Sequence, residues 1–130
     1  MNPEPEIILR FLLAAALGAG IGFQRERAGK AAGMRTHILV CSGAALFTLA
    51  SIYGFNGAAV AAGVVAGIGF IGAGVIFRGM SGQGVAGLTT AASMWAAAAV
   101  GLAAGTGMYL LSVIAAAVTV GVLFLPKVRG

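Results

Sequence analysis

Few residues in this chain could do chemistry, and most of them share one polar stretch. From Gln24 to Arg35 the sequence reads QRERAGKAAGMR, where Arg25, Arg27, Lys30 and Arg35 surround Glu26, the one acid outside the N-terminal tail. A carboxylate among guanidinium groups is ordinarily a solvated surface pair contributing at most about 1 kcal/mol. Folded under helix ends and partly desolvated, Glu26 would instead order Arg35, Arg78 or the hydroxyls of Thr89 and Thr90, and would fix loop geometry more firmly. Both arrangements are open to these residues. For a divalent cation such as magnesium, which accepts one or two carboxylates and keeps most of its waters, Glu26 is the only candidate ligand away from the tail. A site would need two copies of Glu26 across an oligomer, or outer-sphere contacts to threonine and carbonyl oxygens.

The remaining reactive groups are sparse. His37 is the sole histidine, and its position at the mouth of an apolar run suits an interfacial residue bonded to a loop carbonyl better than a ligand. Paired carboxylates for acid–base work and the ligand set of a zinc site are missing, so no enzymatic activity and no resident cofactor are expected. Cys41, the lone cysteine, reads as a small buried apolar residue. The pattern G-x-G-x-x-G at Gly67, Gly69 and Gly72 imitates a dinucleotide fingerprint, but the chain has no Asp and no Glu after Glu26 to hold a ribose. These glycines fit helix packing instead.

The elements that must position these residues are membrane spans. Of 130 residues, 60% are hydrophobic and 8% charged, too little polar surface to cover a water-soluble globule. Ala58 to Phe77 is an unbroken apolar run closed by Arg78, long enough as a helix to match a hydrocarbon core of about 30 Å. Wound at about 100° per residue, it gathers Ala59, Gly63, Gly67 and Gly74 on one side, with Ala62, Ala66, Gly69 and Ala73 beside them and Phe70 interrupting; Val60, Val64, Ile68, Ile71 and Val75 lie opposite. A small-residue face lets another backbone approach closely, so other helices are expected to pack around this one. The pairs Gly18/Gly22 and Gly101/Gly105 offer the same spacing elsewhere.

Further spans are expected over 7–23, 38–55, 88–104 and 108–125, flanking the one over 58–77 in a single domain covering 1–130. Residues 1–6 read as an exposed tail, acidic where a signal peptide would be basic. Arg10, one turn into the first span, can snorkel back to the headgroups. Tyr53 and Phe55 suit an interface. The segment Gly79 to Gly87 is too glycine-rich to stand as a helix by itself. With five crossings, Arg25, Arg27, Lys30, Arg35, Arg78, Lys127 and Arg129 fall on one side and Arg10 on the other, which under the positive-inside rule puts the N-terminus out and the C-terminus in. The formal charge of +5 therefore reports topology and anionic headgroups, and no nucleic-acid partner is expected.

Three motifs in order carry a resemblance. ERAGKAAGMRTHILVCSGAALFTLAS from Glu26 to Ser51, then GIGFIGAGVIFRG, then GLTTAASMW, resemble the membrane domain of the MgtC/SapB family, with similarity running from about Arg10 to about Val120. Matching positions are Glu26, Gly33, Arg35, Thr36, His37, Gly69, Gly72, Gly74, Arg78, Gly87, Thr89, Thr90 and Trp95. The resemblance implies a bacterial inner-membrane protein linked to magnesium limitation and stress adaptation, with ion transport as one role and binding of a membrane complex such as ATP synthase as the other. Many members continue into a soluble domain, whereas this sequence stops at Gly130.

The expected architecture is thus an all-α, five-span bundle in the lipid bilayer of the cytoplasmic membrane, assembled as a homo-oligomer. Its working surface is expected at the cytoplasmic cluster of Glu26, Arg35, Thr36, His37, Arg78, Thr89 and Thr90. Gly63, Gly67, Gly69, Gly72, Gly74, Gly87 and Trp95 are expected to pack its helices.

Overall fold

Helix packing in this chain is dictated by where alanine and glycine fall. A computed structural model describes residues 4–30, 32–55, 59–83 and 87–125, with the backbone alone for 55 and 77–83. Among these residues the secondary structure is entirely helical: α1 (Glu4–Arg27), α2 (Met34–Ala50), α3 (Ala59–Gln83), α4 (Leu88–Gly105) and α5 (Tyr109–Leu123). A π-helical turn, Ser51–Phe55, prolongs α2. Four of the helices are long and apolar enough to cross a membrane, over Glu4–Arg27, Met34–Gly54, Ala59–Ile76 and Leu88–Gly105; α5 is a shorter apolar helix of 15 residues.

The centre of the bundle is α4, which touches each of the other four helices. Ten of its eighteen residues are Ala or Gly, so neighbours approach it on several sides. The expectation that α3 holds the centre is corrected here: α3 touches α4, α2 and the π turn. Sorting α3 by size identified its faces but could not rank it against α4, which is small nearly all round. Phe70 points outward, 82% exposed, and Trp95, expected to pack, is also exposed.

Two of the three small-residue pairs hold the core. At Gly18, an added Cβ would sit 2.6 Å from the His37 carbonyl oxygen, and at Gly22, 2.6 Å from Met34 Cα, so α1 lies directly against the backbone of α2. At Gly101 an added Cβ would collide with the Cys41 carbonyl oxygen, and at Gly105 it would lie 2.9 Å from Thr48 Cβ, which seats α4 on the other side of α2. Between these contacts Ala14, Ile21, Cys41, Ala45, Ala97, Val100 and Ala104 form the buried core. Gly63, Gly67, Gly69 and Gly74 have nothing within 4 Å of an added Cβ, so within one chain they pack no helix; of the five glycines from Gly63 to Gly74, Gly72 meets a neighbour, Ala91 Cβ at 3.4 Å.

Element ends differ from those expected. α1 begins at Glu4 inside the supposed tail, with Glu4 and Glu6 in its first turn, where carboxylates suit the helix dipole. α3 continues to Gln83 through the glycines after Arg78. A glycine-rich stretch nucleates poorly, but extension from a formed helix adds a hydrogen bond per residue without repeating the nucleation cost. Gly87, at φ +87°, then starts α4 in a left-handed conformation and lies against Val75. The side chains of Phe55 and Arg78, residues 84–86, Lys127 and Arg129 lie outside the described residues.

Candidate functional site

Along α1, residues recurring every three or four positions share one face, and that face is buried at Ala14, Gly18, Ile21, Gly22 and Arg25. Arg25 is therefore carried inward with the packing glycines, while Glu26, one residue on, is exposed. Arg25 is 3% exposed and donates from Nη2 to Thr90 Oγ1 at 3.4 Å. It is thus Arg25, not Glu26, that reaches the threonine pair. Thr90 faces in and its neighbour Thr89 faces out.

A polar chain runs on from Thr90 through the bundle. Ser93 Oγ lies 2.7 Å from the Thr90 carbonyl oxygen and 2.8 Å from His37 Nε2, and His37 Nδ1 lies 2.9 Å from the Gly33 carbonyl oxygen. His37 is fully buried within the bundle, one turn into α2, and makes the expected bond to a carbonyl just before that helix. Gly33 O can only accept, so Nδ1 carries a proton. Ser93 has a single hydroxyl proton to give. Ser93 joins α2 to α4 through a buried hydroxyl that contacts both His37 Nε2 and Thr90 O.

Glu26 has a different task. Its Oε1 accepts the Met34 backbone N–H at 3.1 Å, placing the carboxylate on the positive end of α2. Arg35 is exposed and Thr36 half-buried beside that end. Of the expected cytoplasmic cluster, the structure joins Thr90 to His37 through Ser93, sets Glu26 on the first turn of α2, and leaves Thr89 and Arg35 facing outward; the side chain of Arg78 is outside the described residues. Among the described residues no group of three or more His, Cys, Asp or Glu side chains could enclose a metal.

At the opposite end, Arg10 continues the same inward face of α1. Its side chain is 12% exposed, pairs with Glu6 and donates from Nη1 to the Gly105 carbonyl oxygen at 3.1 Å. Tyr109 Oη donates to the same Glu6 at 3.4 Å. Arg10 thus ties α1 to the turn between α4 and α5 rather than snorkelling alone. Gly107 in that turn has φ +90°, and a Cβ there would meet the Arg10 guanidinium at 2.8 Å. Arg10, Arg25 and Ser93 were not singled out as site residues in the sequence, though the spacing 10, 14, 18, 21, 25 along α1 carried the signal for two of them.

No solved structure matches the chain; its similarity to known proteins is one of sequence. The protein named putative magnesium transporter YhiD, of Escherichia coli strain K12, is 43% identical over 129 residues, covering 91% of this chain and 59% of that protein. Protein SrpB of Synechococcus elongatus is 43% identical over 120 residues, 81% of this chain and 66% of the relative. Protein MgtC of Salmonella typhimurium is 45% identical over 104 residues, 78% of this chain and 44% of the relative. The chain therefore spans between about two fifths and two thirds of the length of these curated relatives. The MgtC family model matches residues 11–129, and the chain belongs to the MgtC family.

Proposed function

We propose that this chain serves magnesium homeostasis in the bacterial cytoplasmic membrane by docking against another membrane protein, rather than by carrying the ion through its own interior. Support for the magnesium link comes from the family and from the name of the Escherichia coli relative. The observation that carries the docking mechanism is a groove of about 600 Å³ between α2 and α3, with Gly43 on one wall, Gly63 and Gly67 on the other, and Val40, Ala44, Ile68 and Ala98 among its lining. None of these three glycines has a neighbour within 4 Å of an added Cβ. A transmembrane helix of a partner could lie there in backbone-close contact, as α1 and α4 lie on α2.

In this reading the chain crosses five times. α5, at about 22 Å, spans by drawing the bilayer thinner or by using the apolar Phe124 and Leu125 beyond its end. The basic residues at Arg25, Arg27, Lys30 and Arg35 then face the cytoplasm and the Arg10 end faces out. In a strain whose growth at limiting magnesium depends on this chain, Gly67→Leu should abolish that growth with the protein still inserted, and Glu26→Gln should sustain it. Growth with Gly67→Leu intact would refute docking through this groove.

A second reading, ion transport by a homo-oligomer that brings copies of Glu26 together, is favoured by the transporter name of the relative. It predicts magnesium flux into liposomes that Glu26→Gln removes.

A further inference from the structure

The inward face of α1 ends in a cation that the described chain does not neutralise. Arg25 Nε is buried and meets no acceptor, and its bond to Thr90 is long at 3.4 Å. The sequence holds three acidic side chains, Glu4, Glu6 and Glu26. Glu4 and Glu6 stand about 30 Å away at the far end of α1, where Glu6 pairs with Arg10. Glu26 is exposed and engaged with Met34 N–H. The carbonyl end of α1 offsets part of the charge, equivalent to about half an elementary charge, without supplying a partner to Nε.

The helix that Arg25 meets makes the imbalance worse. α4 starts at Gly87 with no side-chain cap, so the N–H groups of Leu88, Thr89 and Thr90 have no acceptor within the helix and carry its positive end. A buried guanidinium and a helix N-terminus without a side-chain cap converge on Thr90, two like-signed features with a hydroxyl between them. We propose that the junction of Arg25 with the first turn of α4 binds an anion bearing phosphate-type oxygens. Arg25 supplies a fork for two oxygens, Thr90 a hydroxyl, and the first amides of α4 the remaining donors, a donor set suited to a tetrahedral oxyanion. The phosphate of an anionic lipid and free inorganic phosphate share that chemistry. This inference stands apart from the docking and transport readings, because it concerns the first turn of α4, about 12 Å along that helix from the groove residue Ala98, and needs no partner protein.

The test uses the full chain in sugar-detergent micelles, which contain no phosphate. Labelled inorganic phosphate is offered in equilibrium dialysis, and phosphatidylglycerol is offered separately with retention read by native mass spectrometry. Saturable binding of one of these two probes at one site per chain is expected, and which probe binds identifies the source. Arg25→Met should weaken it at least about tenfold and Thr90→Val severalfold, while Arg27→Gln, which removes an exposed cation two residues away, should leave it unchanged. Should Arg25→Met fail to fold, Arg25→Lys keeps the charge without the fork and decides together with Thr90→Val. Absence of binding by both probes, or equal losses with Arg27→Gln and Thr90→Val, would overturn the site.

Discussion

Gly101/Gly105 and Gly63/Gly67 share one spacing and opposite surroundings. The first pair lies against the α2 backbone so closely that an added Cβ at Gly101 would collide with Cys41 O, whereas the second meets nothing within 4 Å. A small-x-x-x-small pair therefore states that a backbone can come close; it does not state that one of the same chain will. In the α1–α2–α4 core that capacity is used within the chain. On α3 it is left on the outside, beside Gly43 of α2, where a helix from elsewhere can use it.

This contrast is open to direct attack. The largest effect is expected in the closed core: Gly101→Leu should prevent a stable fold, and Gly101→Ala should cost on the order of 2 kcal/mol, read as a lowered unfolding midpoint in detergent. Ser93→Ala should come next. It removes the hydroxyl shared by His37 Nε2 and Thr90 O, and leaving a buried imidazole nitrogen without a partner costs about 1–3 kcal/mol. The smallest effect belongs to the open face, where Gly67→Ala should change stability by no more than about 0.5 kcal/mol. Equal losses at Gly67 and Gly101 would erase the distinction between the two faces.

Much of this architecture was legible in the residues, and the gaps have physical causes. Helix positions followed from long apolar runs, and two of the three glycine pairs proved to be contacts. The rank of the helices was not legible, because size sorting within α3 says nothing of how α4, small on most sides, competes for the centre. Attention to charge singled out Glu26 as the residue that would order Thr89 and Thr90, whereas helical phase carries Arg25 inward on the face of Ala14, Gly18 and Ile21. The same phase places His37 with Cys41, Ala44 and Thr48, and Thr90 with Ser93, Met94 and Ala97, all of them buried. The partner of Ser93 could not be read from one helix, since it depends on how α2 and α4 are seated against each other.

The most direct test of the account compares the Gly63→Leu/Gly67→Leu double variant with the unaltered protein, following both thermal unfolding and the size of the assembly extracted from native membranes. The account predicts an unchanged unfolding midpoint together with loss of the larger assembly. A variant that unfolds as Gly101→Leu does, or that keeps the assembly intact, would contradict it.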